Sequence, residues 1–198
     1  MFPRNNKYKY SSCRLILLKL NNGKDMNGGV TYISGNKIVE DRDGHVELKN
    51  LELGTYYYYV EFDWQESTEE EYRNFNICSY SCSDVLFEKD ISSEFTKEEL
   101  LEIAFKAKAE RASEFSDIVV TDYADEGAPG VKKYSCSKSG EGYNWILIKN
   151  DETDVTLLED VKYPKFDGLT FVAPYEGDSY KMEVPPGEEK LVMIKGSL

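Results

Sequence analysis

Histidine is nearly missing from this chain: His45 is the single one among 198 residues. Imidazole catalysis therefore has one address, and a thiol or hydroxyl nucleophile would have to find its base there. Cysteine is scarce as well. Cys13, Cys78, Cys82 and Cys136 match no metal-ribbon spacing, which argues against a structural zinc site. None of them stands at a glycine-flanked helix start that would activate a thiol, so no catalytic residue is expected. Basic residues are outnumbered, 24 Lys and Arg against 37 Asp and Glu, for a net charge of -13. That deficit excludes a nucleic-acid or anionic-membrane surface, because both need clustered cations to displace counterions. Charged partners should be basic proteins or cations. No apolar run approaches the length of a membrane span, and the opening Met1-Phe-Pro-Arg-Asn-Asn-Lys7 lacks the apolar centre of a secretion signal. An intracellular, cytoplasmic protein is the expectation, with its thiols reduced and serving as small apolar residues.

Aromatics, by contrast, are plentiful: 15 Tyr and 9 Phe, with the densest run in Gly54-Thr-Tyr-Tyr-Tyr-Tyr-Val-Glu-Phe-Asp-Trp64. Alternation puts Tyr56, Tyr58, Val60 and Phe62 on one face of a strand and Tyr57, Tyr59, Glu61 and Asp63 on the other. Aromatic and β-branched side chains suit a pleated, half-buried surface and would crowd a helix. Around this strand the pattern predicts further ones: the apolar run Leu15-Ile-Leu-Leu18, then Val30–Ser34 and Lys37–Glu40 split by a Gly35-Asn36 turn, then His45–Lys49, Tyr72–Ser81 and Asp84–Glu88. About six or seven strands with turn residues between them predict a β-sandwich over residues 1–92.

The period changes at Phe95. Thr96 and Glu99 have the spacing of a capping box, Phe95 and Leu100 that of a hydrophobic staple, and Leu100, Ile103, Ala104 and Ala107 form a stripe. A linking helix over 93–114 is therefore predicted, with Glu98, Glu102, Lys106, Lys108 and Glu110 facing mostly to water. From residue 115 to 198 the β pattern returns. Strands are predicted at Asp117–Tyr123, Val131–Ser137, Tyr143–Lys149, Val155–Leu158, Leu169–Val172, Ser179–Val184 and Lys190–Lys195, enough for a second sandwich. Pro185-Pro186-Gly187 sets the last turn. The fold class is mainly β, two β-sandwich units joined by one α-helix.

Acidic clusters are the feature with most chemical appetite. Glu40-Asp41-Arg42-Asp43-Gly44 resembles part of a calcium loop, but Val39 and Asn50 occupy the first and last ligand places. Weak calcium binding at Asp41 and Asp43, in a loose set with Asp63 and Glu66, is the most these residues support. A solvated acidic rim that protects edge strands is the simpler reading. Glu66, Glu69, Glu70 and Glu71 follow Trp64 directly; an exposed aromatic beside a charged run suits partner binding, the ring supplying contact area and the charges setting approach. The glycine-rich stretches lack a phosphate-loop lysine and a following helix, so no nucleotide or other cofactor is expected.

Leu53-Gly-Thr-Tyr-Tyr-Tyr-Tyr-Val-Glu-Phe-Asp-Trp64, followed after a polar loop by Phe75-Asn-Ile-Cys-Ser-Tyr80, resembles the non-catalytic C-terminal region of protozoan calpain-family cysteine proteases. Gly142-Tyr-Asn-Trp145 and Val184-Pro-Pro-Gly-Glu188 are similar to later pieces of the same region. The resemblance implies calpain domain III or C2-like sandwiches. The protease core, with its helix-borne cysteine and distant His and Asn, has no counterpart in these residues, so the resemblance implies no enzyme and no small-molecule substrate. It implies a protein-binding or scaffold subunit of a larger intracellular assembly, cytoskeletal or ciliary by analogy, with a calcium-dependent membrane-binding C2-type module as the alternative.

Overall fold

The computed structural model describes residues 10–39, 44–64, 73, 75–88, 95–137, 140–162, 168–172, 174–177 and 179–196. The apolar run near the N-terminus forms β1 (Ser12–Leu20), central in a sheet of order β2-β1-β3 with β2 (Val30–Ile38) and β3 (Tyr56–Asp63). Thr96 starts the helix α1 (Lys97–Glu110) as expected: its hydroxyl accepts from the Glu99 amide and the Glu99 carboxylate accepts from the Thr96 amide. Seven strands then follow: β4 (Val119–Tyr123), β5 (Ala128–Cys136), β6 (Tyr143–Asn150), β7 (Leu157–Lys162), β8 (Leu169–Phe171), β9 (Ser179–Val184) and β10 (Glu189–Gly196). Five of them form a sheet of order β4-β5-β6-β10-β8, and β7 pairs with β9. Every pairing is antiparallel, so the molecule is mainly β with one α-helix among the described residues.

All seven strands expected after residue 115 are present, with ends displaced by a few residues. The N-terminal half differs. Gly35-Asn36 is no turn: β2 runs through it, Gly35 pairs with Ile16, and a bulge at Ile33 shifts the register between Leu17 and Leu18. The glycine is there for proximity, since a Cβ at Gly35 would lie 2.2 Å from Cγ of Glu141 and 2.5 Å from the Tyr32 hydroxyl. Residues 45–49, 75–81 and 84–88 carry no strand, and Tyr72 lies outside the described residues. The described strands of this half thus make one three-stranded sheet where a sandwich of its own was expected. Local β propensity did not suffice, because a strand forms only with a ladder partner and a face to bury.

The core explains what completes that sheet. One cluster joins Ile16, Leu18 and Leu20 of β1, Tyr32 of β2, Leu101, Ala104 and Phe105 of α1, and Tyr143, Trp145 and Leu147 of β6. Phe105 stacks on Trp145 with ring centroids 5.6 Å apart. The opposite face of the five-stranded sheet, through Val131, Ile148, Val192 and Ile194, packs on Tyr180, Met182 and Val184 of β9. Both faces of β6 and β10 are therefore buried, which is why they read as nearly continuous apolar runs. The expected boundaries at 92 and 114 fall between elements that share the first of these clusters.

Candidate functional site

The Tyr-rich strand β3 alternates as expected, and the structure decides which face turns inward. Tyr57 and Tyr59 pack against the shared core, and Glu61 and Asp63 follow them in. The more apolar face, Tyr56, Tyr58, Val60 and Phe62, points the other way. Its cross-strand neighbours on β1 are Lys19, Leu17, Leu15 and Cys13, and neither core cluster includes any of these eight residues. The face is half-covered: all of β3 has intermediate exposure, while Cys13 and Leu15 are buried. Trp64 is half-buried at its end, stacked on Phe62 with centroids 4.7 Å apart, and Phe75 approaches Phe62 from the other chain segment at 4.8 Å.

From Phe75 the chain continues without regular structure to residue 88, and it leaves a run of large apolar side chains in solvent. Phe75, Ile77, Tyr80, Val85, Leu86 and Phe87 are all exposed, Tyr80 to 97% and Leu86 to 82%. Leu51 and Leu53 are exposed on the irregular stretch before β3. Scattered apolar residues on a surface are ordinary, but six in thirteen consecutive positions beside a half-covered aromatic face constitute a patch. Sequence reasoning missed these residues as surface groups because the same pattern reads as strand. Their signal is that Phe75–Phe87 contains one charged residue, Asp84.

Trp64 is thus placed at the rim of the patch. Its expected companions Glu66, Glu69, Glu70 and Glu71 lie outside the described residues, as do Asp41 and Asp43. Asp63, expected as a loose calcium ligand, is engaged elsewhere. Its carboxylate accepts from Arg14 Nη1 and from Lys195 Nζ, each at 2.8 Å. No group of three or more potential metal-ligating side chains occurs among the described residues.

Asp63 belongs to a partly buried charge cluster that pins the two larger sheets together. Arg14 is fully buried in β1, its guanidinium 5.1 Å over the ring centre of Tyr143 and its Nη2 donating to the Gly196 carbonyl at 3.1 Å. Glu61 is the hub, accepting from Lys97 at 2.6 Å, Lys195 at 2.8 Å and the Tyr143 hydroxyl at 2.6 Å. Burial alone would raise the Glu61 carboxyl, but the bonds from Lys195, Lys97 and Tyr143 outweigh it and hold the group at about 2. Asp63 is likewise held down against burial by Lys195 and Arg14. Three cations from β1, α1 and β10 converge on the two carboxylates of β3, so both acids are fully engaged and the cluster reads as a clamp between elements. The sequence offered a hint in Arg14, a charge directly before the apolar run Leu15–Leu18.

A second buried set corrects the expected surface of α1. Lys108 is buried, not solvated: its ammonium lies 2.9 Å from both Glu141 and Asp117, and 5.1 Å from the ring centre of Tyr32. Burial pushes the Glu141 carboxyl up to about 7, opposed by a backbone hydrogen bond. Cys136 is buried here and donates to Asp117 at 3.4 Å; Cys13 is buried too, and burial raises its thiol. Cys78 and Cys82 are exposed, so the reading of every cysteine as a small buried apolar residue holds for two of four. His45 is exposed in the irregular stretch 44–55. No helix of the described residues is long and apolar enough to cross a membrane.

Compared with known proteins, the chain matches no family model, no curated protein and no solved structure.

Proposed function

We propose that this chain is a non-enzymatic docking or scaffold subunit of a larger intracellular assembly, and that it contacts its partner protein through the outward face of β3 and residues 75–88. The observation that carries this reading is the exposed apolar run Phe75–Phe87 continuing from the Phe62–Trp64 stack. Large apolar and aromatic side chains gain most from burial in an interface, and a patch of them rimmed by polar residues is the usual mark of one. The net charge of -13 favours a basic partner, since opposite potentials speed encounter and set register. The resemblance to the non-catalytic calpain region supports the same role, in a cytoskeletal or ciliary setting.

The test pairs binding with stability. Tyr80→Ser and Leu86→Ser remove exposed side chains that make no core contact, so each variant keeps the wild-type melting temperature to within about 2 °C. In quantitative affinity purification from the native cell, the double variant loses proteins that the wild-type chain retains stoichiometrically. Equal recovery by both chains places the interface elsewhere.

A further inference from the structure

Two thiols four residues apart in a strand point to the same side but sit too far apart for a disulfide, whose Cα atoms must lie within about 7 Å. The structure removes that obstacle. Cys78-Ser-Tyr-Ser-Cys82 is in no strand or helix, so no ladder holds it extended. The chain bends at Cys82 and Ser83, with the Ser81 hydroxyl accepting from the Ser83 amide at 3.1 Å and donating to the Ser83 carbonyl. Both thiols are free and exposed, whereas Cys13 and Cys136 are buried. Small serines flank them, and the intervening Tyr80 is 97% exposed, so no packed side chain resists closure.

We infer that Cys78 and Cys82 are a modification site, an oxidisable dithiol that a low-molecular-weight disulfide converts into a ring spanning residues 78–82. One thiolate attacks the disulfide and forms a mixed disulfide, releasing one small thiol. The second thiolate then attacks the first cysteine's own sulfur, forming the Cys78–Cys82 bond as its bond to the small molecule breaks and the second small thiol leaves. Two protein thiols are oxidised by two electrons, one small disulfide is reduced to two thiols, and the protons leave on those thiols. The short separation makes the second step intramolecular, so it outruns capture of a second small disulfide. The ring constrains the middle of the apolar run without touching either core, and this chemistry stands whether or not that run docks a partner.

The experiment uses the full chain and oxidised glutathione. Wild type loses two free thiols and keeps no glutathione in its intact mass. Chymotryptic cleavage after Tyr80 then leaves fragments that separate only on reduction. Cys78→Ser halts with glutathione on Cys82, and Cys82→Ser with glutathione on Cys78. Glutathione retained on the wild-type chain, disulfide-linked dimers whose share grows with protein concentration, or thiol loss at Cys13 or Cys136 in place of this pair each overturn the inference.

Discussion

Glu61 carries more of the structure than any other single acid described, because it receives Lys97, Lys195 and Tyr143 at once. Glu61→Gln keeps the size and removes the charge. Breaking a buried ion pair from one side costs about 3 to 5 kcal/mol, and the retained Asp63 lowers the expected loss here to about 2 to 3 kcal/mol. Urea unfolding should show it as a lower midpoint at unchanged slope. The pH dependence has a definite sign. Folding lowers the Glu61 carboxyl from 4.5 to about 2, so its contribution is full above the unfolded value and disappears as pH falls through that window. The stability gap between wild type and Glu61→Gln should close accordingly. Glu141 behaves oppositely. Folding raises it from 4.5 to about 7, so the folded state binds the extra proton and the penalty of burying the charge grows as pH rises through that interval. Glu141→Gln should therefore cost less at neutral pH than Glu61→Gln, and should be most favourable relative to wild type at the alkaline end. A larger loss for Glu141→Gln would mean that the Lys108 ion pair outweighs burial.

At the scale of elements, the helix was the most legible piece and its cap is independently testable. Thr96→Ala removes the bond that the Thr96 hydroxyl accepts from the Glu99 amide, leaving the backbone half of the capping box, and should cost about 1 kcal/mol, a fall in melting temperature of about 2 to 4 °C for a chain of this size. Lys108 shows where helix reading stopped: polarity assigned it to water, and only contact with Glu141 and Asp117 makes its burial tolerable. The strands after residue 115 were legible because Pro, Gly and Asp clusters punctuate them, β6 and β10 carry apolar runs covered on both faces, and β7 and β9 alternate. Residues 75–88 mislead for the same reason in reverse. Phe-Asn-Ile-Cys-Ser-Tyr alternates as a strand does, but no described strand pairs with it.

For the whole molecule, the charge clamp and the shared core make a prediction about cooperativity. Separating the three-stranded sheet and α1 from the five-stranded sheet would expose Tyr143, Trp145, Leu147 and Met193 and part Lys195 and the Tyr143 hydroxyl from Glu61 and Asp63. Calorimetry should therefore record one transition, with calorimetric and van't Hoff enthalpies equal. Two resolved transitions would mean that residues before 93 and after 114 are independent units after all.

Sequence alone determined the mainly β class, the capped helix, the seven C-terminal strands and the two-faced alternation of Tyr56–Asp63, because each depends on residues near one another in the chain. Tertiary structure decided which face of β3 turns inward, since either face is aromatic and only the facing Arg14, Tyr143 and Lys195 give Glu61 and Asp63 a reason to be buried. It decided that the N-terminal sheet completes its core on β6 and α1, and the β6 partners lie more than a hundred residues beyond β1 in the chain. It also decided that Phe75–Phe87 stays on the surface, because apolar character states that a side chain gains from burial without saying whether its own chain or another supplies the cover.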